Sequence, residues 1–354
     1  MKAVHVVVPD GIDDPARPSG GNAYDRHLCR GLASLGWSVH LHPVPGRWPR
    51  PDIAAYADLA GLVQRIPDGA IVLADGLVAS TAPQALVPQA RRLRLVVLVH
   101  MPLGHRPPGG ADDVRMRECA VLSAAAAVVS TSAWSRRRLL ELYRLSPDRV
   151  HVAQPGVDAA ELAADSAAGG ALLCVAAVTF DKGQDVLLEA LTTLTDLSWQ
   201  CVCVGSLECD PAFVERLRRF LADHELGDRV SFAGPRTGAD LDSTYAAAAL
   251  TVLASRAETY GMVVTESLAR GLPVLAADVG GLTEALGYGA DGIRPGLLVR
   301  PDDPTALSAA LHAWLTDAEL RTRLRRAACE RRQSLSAWST TASQLAGVLA
   351  GTSR

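Results

Sequence analysis

The 354-residue chain is long enough for two domains of ordinary size, each with its own core, because 49% of its residues are hydrophobic. Its 35 Lys and Arg nearly balance 38 Asp and Glu, so the formal charge of -3 excludes a general attraction to nucleic acid or to an anionic membrane. No stretch approaches the roughly 20 apolar residues of a membrane span, and the seven scattered cysteines lack Cys-x-x-Cys spacing, so we expect a soluble, cytoplasmic protein with reduced core thiols and no metal site.

Two series of short apolar runs organise the chain, with helical patterns between them. The first run, Ala3 to Val8, stops at Pro-Asp-Gly without a cleavage site and predicts a buried strand, not a signal peptide. The other runs of the first half are Val39 to Val44, Ala70 to Ala74, Leu95 to Val99, Ala127 to Ser130 and Val150 to Ala153. Those of the second half are Ala171 to Ala177, Gln200 to Val204, Val230 to Phe232, Leu250 to Leu253, Pro273 to Ala276 and Leu297 to Val299. Continuous apolar strands between helices indicate parallel sheets covered on both faces, so each half is predicted to be a doubly wound, Rossmann-like α/β domain.

A linker between the two halves is predicted at Pro155 to Gly170, where the periodicity is lost and the segment ends in Gly-Gly. We therefore expect a first domain at residues 1–163 and a second at 170–334. After the charged segment Arg321 to Arg332, a C-terminal helix at about 335–354 is expected to pack back onto the first domain. Ligands of open α/β sheets bind beyond the carboxyl ends of the strands, so two such domains facing one another would form a ligand-binding cleft.

A literal G-x-G-x-x-G occurs at Gly287, Gly289 and Gly292. The dinucleotide fingerprint has to follow a strand and open a helix, so that the pyrophosphate meets the helix N-terminus. Here the glycines run from a helical pattern through a loop into a strand. A nicotinamide or flavin site is therefore not expected.

Two carboxylates, Glu258 and Glu266, flank the start of a predicted helix in "ETYGMVVTE". Gly261 lies at the junction of turn and helix, where an anion could approach the N–H groups of the first turn. Glu266 lies about 7 Å further along the axis, at ~1.5 Å per residue, a separation that suits a nucleotide sugar with its diphosphate between the two acids. Alternatively, Glu258 is a helix-start acid and Glu266 an ordinary exposed helix residue.

Four blocks of sequence follow one another along most of the chain. They are PSGGNAYDRHLCRGLASLGWSVHL, STSAWSRRRLLELYRLSPDRVHVAQPGVD, DKGQDVLLEAL, and the E-x7-E segment followed by SLARGLPVLAADVGGLTEAL. In order and spacing they resemble the family-4 retaining glycosyltransferases of the two-Rossmann GT-B architecture. The resemblance implies two domains facing across a cleft and the transfer of a sugar from a nucleoside-diphosphate sugar.

The resemblance also implies roles for individual residues of this chain. Glu266 would bind the ribose, Glu258 would hold the donor sugar with the backbone of Gly261, Met262 and Val263, and Lys182 would neutralise the diphosphate. Gly20 and Gly21, expected just before a helix that starts near Asn22 or Ala23, would approach the phosphates from the other domain. His100, at the end of the fourth strand, would lie near the donor sugar, and His105 is a weaker candidate. Residues with an implied catalytic role are His100, Lys182 and Glu258.

One position departs from the family pattern. Relatives commonly carry a Gly-Arg pair after the first strand of the second domain, and that arginine also contacts the diphosphate, whereas this chain has Ala176 and Ala177. A lost charged contact of this kind costs about 1.5–3 kcal/mol. We favour replacement by another arginine, such as Arg256 or Arg236, over an unusual donor or low activity.

The implied reaction proceeds on one face of the sugar, and the departing phosphate takes the acceptor's proton. Lys182, the helix N-terminus at Gly261 to Val263 and the Gly20 loop would stabilise the leaving diphosphate, without a metal or a cofactor. The acidic pairs at Asp13–Asp14, Asp112–Asp113 and Asp302–Asp303 are predicted to be solvated turns. The base would contact Phe232 to Gly238, at Pro235 and Arg236, with a uridine donor favoured over a guanosine donor.

The acceptor, a small molecule or a lipid, is expected to meet the first domain, whose Pro- and Gly-rich loop Met101 to Asp113 could be a mobile wall. The basic, amphipathic segment Trp134 to Leu145 could dock on a membrane surface, although such a helix more commonly has one buried face. A sugar-nucleotide epimerase or hydrolase, and a binding protein with weak catalysis, are alternatives on the same fold. The oligomeric state stays open.

Overall fold

The computed structural model describes residues 2–14, 18–105, 111–164 and 169–352. The chain divides into two compact units. Unit 1 comprises Met1–Asp13, Gly20–Gly156 and Ser336–Arg354, and unit 2 comprises Asp14–Ser19 and Val157–Leu335. No helix in the described ranges is both long enough and apolar enough to cross a membrane.

Unit 1 contains a six-stranded parallel sheet in the order β2-β1-β3-β4-β5-β6. Its strands are β1 (Ala3–Pro9), β2 (Ser38–Val44), β3 (Ile71–Asp75), β4 (Arg94–Val99), β5 (Ala127–Ser130) and β6 (Val150–Val152). The helices within the first 156 residues are α1 (Gly20–Ser34), α2 (Ile53–Arg65), α3 (Gly76–Ala79), α4 (Pro83–Leu86), α5 (Ala111–Ala124) and α6 (Ala133–Tyr143). Strands β3, β4 and β5 are buried almost throughout, because helices cover both faces of the sheet.

Unit 2 contains a second six-stranded parallel sheet, in the order β12-β11-β10-β7-β8-β9. Its strands are β7 (Ala171–Val175), β8 (Gln200–Val204), β9 (Val230–Gly234), β10 (Leu250–Leu253), β11 (Val274–Ala277) and β12 (Gly296–Val299). Its helices are α7 (Gln184–Thr192), α8 (Pro211–Asp223), α9 (Gly238–Ala246), α10 (Met262–Ala269), α11 (Leu282–Leu286), α12 (Pro304–Thr316) and α13 (Ala318–Arg332).

The final helix, α14 (Trp338–Gly351), belongs to unit 1 and packs on α1. The two helices approach closely at Gly31, where an added Cβ would lie 2.5 Å from the Cβ of Ala342. The hydroxyl of Thr341 donates to the carbonyl oxygen of Gln154 at 2.7 Å. Leu345 and Leu349 are fully buried, so α14 completes the core of unit 1.

The predicted fold class is confirmed, because both series of apolar runs form parallel sheets of doubly wound α/β type. Two local predictions were wrong. Helix α1 begins at Gly20 and not near Asn22. Asp112 and Asp113 lie in helix α5 and not in a turn, and Asp113 pairs with Arg117 one turn away.

Candidate active site

The loop between β10 and the N-terminus of α10 in unit 2 contains Glu258 and Tyr260. Gly261 caps this helix in the left-handed conformation, with φ of 87°, and a Cβ there would lie 2.4 Å from Cδ2 of Leu282. Glycine is needed at this position for its backbone conformation and for close packing of α11. Met262 and Val263 follow as the first residues of the helix, so their N–H groups have no partner within the helix.

The turn Gly280-Gly281 fixes the Glu258 loop from the other side. The N–H of Gly281 donates to the carbonyl oxygen of Glu258 at 3.2 Å. Gly280 has φ of 58°, and a Cβ there would lie only 1.5 Å from the same oxygen. Only glycine at 280 allows this approach, so the Gly-Gly pair after β11 positions the candidate sugar-binding carboxylate. The Gly-Gly pair is visible in the sequence, but nothing in its spacing indicated that it contacts Glu258.

Lys182 and Glu258, 76 residues apart in sequence, form an ion pair. The Nζ of Lys182 lies 2.5 Å from Oε1 of Glu258, and the hydroxyl of Ser255 donates to the same oxygen at 3.3 Å. Lys182 ends a 3-10 turn, and Gly183 follows with φ of 66° at a place where a Cβ would lie 2.0 Å from the carbonyl oxygen of Ala254. The fold therefore brings these two predicted residues together beside the end of β10.

Glu266 lies on α10 and is held by a tyrosine from α9. The hydroxyl of Tyr245 donates to Oε2 of Glu266 at 2.9 Å. Burial raises the pKa of Glu266, while the bond from Tyr245 and the charge of Arg270 lower it. Glu266 is thus not a freely exposed helix residue. Tyr245 was missed because nothing in the spacing of α9 distinguishes it from a core aromatic.

Both arginines proposed to replace the missing one are already bonded. Arg256 makes two parallel hydrogen bonds to Asp185, at 2.8 and 3.0 Å, and a third to Asp302 at 2.5 Å. Arg236, which follows Pro235 after β9, donates to the hydroxyl of Thr244 at 2.6 Å. Replacement by Arg256 would break a bidentate ion pair.

Asp302 and Asp303 lie at a turn, as predicted, and Asp302 is exposed, but both carboxylates also have partners. Asp302 pairs with Arg256. Asp303 caps helix α12 by accepting from the N–H of Ala306 at 2.8 Å. Both carboxylates therefore have partners in the folded protein. The sequence predicted the Pro-containing turn but not these partners.

In unit 1, the candidate glycines lie next to the candidate histidine. Gly20 and Gly21 form the first turn of α1, and a Cβ on Gly21 would lie 3.4 Å from Cδ2 of His100. His100 follows the last residue of β4. Gly21 therefore lies against the imidazole, and the structure brings both predicted features together.

Two buried aspartates that the sequence analysis missed accompany His100. Its Nε2 lies 2.9 Å from Oδ1 of Asp25 and 3.7 Å from Oδ2 of Asp75. Burial lowers the pKa of His100, but the two carboxylates outweigh it and raise the pKa to about 9. Burial, followed by the charge of Asp25, raises the pKa of Asp75 to about 7. Asp75 ends β3 as His100 follows β4, and adjacent parallel strands bring their carboxyl ends together, which is the signal that could have revealed this pair.

We expect Asp75 to make the protein less stable as the pH rises from about 4 to 7. In this interval the folded state keeps a proton on Asp75 that the unfolded chain has released, so the free energy of unfolding falls. Asp75→Asn retains an oxygen to accept from the N–H of Leu77, and it removes the titration. Calorimetry at pH 5 and pH 7 should show a smaller fall in Tm for this variant than for the wild type.

The same substitution at the exposed Asp58 on α2 is the control and should keep the wild-type difference in Tm. An equal fall in Tm between pH 5 and pH 7 for wild type and Asp75→Asn would contradict the assignment of a proton to Asp75 in the folded state.

The segment after His100 is partly fixed by a buried carboxylate. Oε1 of Glu118 accepts from the N–H of Leu103 and from the hydroxyl of Ser80, and Oε2 accepts from the N–H of Gly104 and from the hydroxyl of Tyr143. Leu103 to His105 therefore form an anchored turn. In the rest of the predicted mobile wall, Met101 to Asp113, residues 106–110 lie outside the described residues and residues 111–113 begin helix α5.

His105 and helix α6 have structural partners. Nε of Arg138 donates to Nδ1 of His105 at 2.9 Å, and burial together with Arg138 lowers the pKa of that histidine. Arg136, on the same helix, donates to the carbonyl oxygens of Val150 and Pro147. Two of the three consecutive arginines of α6 are thus engaged within unit 1, which does not favour the membrane-docking alternative.

Comparison with known proteins identifies the family. The family described as Glycosyltransferase Family 4 matches residues 18–161, and that described as Glycosyl transferases group 1 matches residues 169–331. The chain belongs to the family-4 glycosyltransferases. This confirms the resemblance inferred from the four sequence blocks.

A similar protein is the D-inositol 3-phosphate glycosyltransferase 1 of Catenulispora acidiphila, which is 34% identical over 60% of this chain and 54% of its own length. The match thus spans about half the length of that relative.

Two solved structures resemble the chain over almost its whole length. Sucrose-phosphate synthase from Thermosynechococcus elongatus has a TM-score of 0.81 at 22% identity and covers 99% of both chains. The Anabaena protein HepE in complex with UDP-glucose has a TM-score of 0.80 at 17% identity, covering 99% of this chain and 100% of its own. At these identities the similarity shows the fold, which is GT-B.

Proposed function

We propose that the protein transfers a sugar from a nucleoside-diphosphate sugar to a hydroxyl acceptor, with retention of anomeric configuration and without a metal. The observation that carries this proposal is the Lys182–Glu258 pair beside the N-terminus of α10. An ammonium and unpaired helix N–H groups can bind a diphosphate, and a carboxylate beside them can accept from sugar hydroxyls. Family membership supports the same chemistry.

In this mechanism the bond between the anomeric carbon and the diphosphate oxygen breaks, and the acceptor oxygen bonds to the same face of that carbon. The acceptor's proton passes to the departing diphosphate. Lys182 and the N–H groups of Met262 and Val263 stabilise the negative charge that develops on the leaving group. Since Lys182 is paired with Glu258 in this structure, donor binding would shift the ammonium towards the phosphates and leave Glu258 free to accept from the sugar.

The remaining candidate residues are assigned by the same proposal. Glu266, held by Tyr245, accepts from the ribose hydroxyls. Pro235 and Arg236, on the loop after β9, contact the base. In unit 1, the backbone of Gly20 and Gly21 approaches the phosphates and His100 contacts the sugar.

The comparisons suggest which substrates to test first. HepE was solved with UDP-glucose, which favours a UDP-sugar donor, and the Catenulispora relative is named for D-inositol 3-phosphate. Purified protein with UDP-glucose, UDP-N-acetylglucosamine or GDP-mannose, each with and without D-inositol 3-phosphate, should form a glycosylated product only when a donor and an acceptor are both present. Addition of EDTA should not change the rate.

Mass spectrometry and the anomeric proton coupling of the product would test transfer and retention together. Donor turnover without an acceptor would favour a hydrolase or epimerase. Donor binding without turnover, across a broad panel of acceptors, would favour a binding protein.

A further inference from the structure

Two buried carboxyl groups face one imidazole in unit 1, and neither carboxyl has been given a role in the proposed reaction. The side chains of Asp25 and Asp75 are 2% and 3% exposed. One oxygen of each lies within 4.8 Å of the other and of a ring nitrogen of His100. Two ionised carboxylates this close in a dry interior repel each other, so one of them takes up a proton.

A buried oxygen without a partner indicates where that proton is needed. Oδ1 of Asp25 faces His100, but its Oδ2 is buried and has no hydrogen-bond partner among the described residues. Oδ1 of Asp75 accepts from the N–H of Leu77 at 2.6 Å. Protonation of Asp75 would turn its other oxygen into a donor to Asp25, and buried polar atoms nearly always have such a partner.

The protonation state of His100 determines whether its Nδ1 donates or accepts a hydrogen bond. Nε2 donates to Asp25, so Nδ1 is the ring nitrogen left for a further hydrogen bond. In the neutral ring Nδ1 is then an acceptor, and in the charged ring it is a second donor. A sugar hydroxyl or a developing negative charge would meet a donor only if the ring carries both protons.

We propose that Asp25 and Asp75 are positioning residues that carry one negative charge and one shared proton between them, and thereby keep His100 charged and oriented as a hydrogen-bond donor to the donor sugar. The contact with the sugar rests on the proposed function. The charge state rests on unit 1 alone.

The other titratable groups around the ring do not supply this charge. Tyr24 meets the imidazole edge-on, with ring centroids 5.1 Å apart, and its hydroxyl donates to the carbonyl oxygen of Ala153. Burial and Asp25 raise the pKa of Tyr24. Cys29, one turn further along α1, has its pKa raised to about 12 by burial, Asp25 and Asp13. Both groups are neutral in the range where His100 titrates, so the aspartates determine its charge.

Two matched substitutions distinguish the contributions of Asp25 and Asp75 to the pKa of His100. Asp25→Asn removes the anion at 2.9 Å, the larger of the two contributions that oppose burial, so the pKa of His100 should fall from about 9 towards its ordinary value of 6.5. Asp75→Asn removes only the more distant carboxylate, at 3.7 Å, and leaves Asp25 in place, so the pKa of His100 should fall less and stay above its ordinary value. The imidazole signals of the full chain can be followed by NMR during a pH titration, with His100→Gln to assign the resonance.

A wild-type pKa of His100 near 6.5, or equal shifts in the two variants, would overturn the proposal. So would a divalent ion bound stoichiometrically to the purified wild type and lost from Asp25→Asn, because an ion would then occupy the place of the shared proton. Circular dichroism checks that both variants are folded, and Asp25→Glu should restore part of the shift if the charge itself is responsible.

The pH profile of transfer supplies the second readout. In the wild type, kcat/KM should decline on the basic side near pH 9, and in Asp25→Asn this decline should move to neutral pH or below. A merely structural role would lower the rate without moving the profile and would overturn the link to the sugar. If the wild type transfers no sugar while His100 titrates near 9, the proposed function fails and the charge assignment stands.

Discussion

Lys182→Ala should lower kcat/KM for sugar transfer by about 10²- to 10³-fold, the usual effect of removing one group that stabilises developing charge. The ammonium is the one cation seen beside Glu258, at 2.5 Å in the described residues. Without it, the carboxylate of Glu258 keeps the hydroxyl of Ser255 as a hydrogen-bond partner, and its negative charge would repel the diphosphate. Affinity for UDP, measured by calorimetry, should weaken by about tenfold to a hundredfold, in line with 1.5–3 kcal/mol for a charged hydrogen bond.

The chain offers a matched control, since Lys2 is its only other lysine. Its Nζ lies over the ring of Trp37, 5.5 Å from the ring centroid, in unit 1. Lys2→Ala should leave UDP affinity and kcat/KM at wild-type values. Equal UDP affinities for wild type and Lys182→Ala would rule out the diphosphate role.

Gly280→Ala should disrupt the Glu258 loop and abolish most donor binding. The added Cβ would lie 1.5 Å from the carbonyl oxygen of Glu258, so the loop has to move away. The left-handed backbone alone costs about 1–2 kcal/mol for a residue with a side chain, and displacement of the loop adds to this cost. We expect a lower Tm together with a loss of UDP affinity.

Gly292→Ala separates these two contributions. Gly292 also has a left-handed backbone, with φ of 77°, but a Cβ there meets no atom within 4 Å. This variant should lose stability from the backbone alone and bind UDP normally. If Gly280→Ala bound UDP as tightly as Gly292→Ala, the close approach of the Gly280 turn would not be what positions Glu258.

The sheets could be predicted from sequence because a strand buried on both faces is apolar at every position. All twelve predicted runs overlap a strand of the structure. Helix α13 was missed although its buried residues, Leu320, Leu324 and Ala327, have helical spacing, because the many arginines between them concealed the stripe. Charge on the exposed positions is therefore a poor reason to reject a helix.

Residues of the candidate site could be predicted only where the residue type and its neighbours in sequence already indicate a function. Lys182, Glu258 and His100 each lie in the segment between a strand and the next helix, which the sequence showed. Their partners are distant in sequence: 76 residues separate Lys182 from Glu258, and 75 separate Asp25 from His100. Such pairs depend on the order of strands in each sheet, which apolar periodicity does not specify.

The position of α14 has a consequence for synthesis on the ribosome. Domains generally fold as units while the chain emerges, but the face of α1 that receives α14 cannot be covered until residues 338–351 have been made. Residues 157–335 have left the ribosome by then, so unit 2 can form its core before unit 1 does. Unit 1, most of which is synthesised first, would thus complete its core after unit 2. Until α14 packs on it, the exposed apolar face of α1 would be a target for a chaperone.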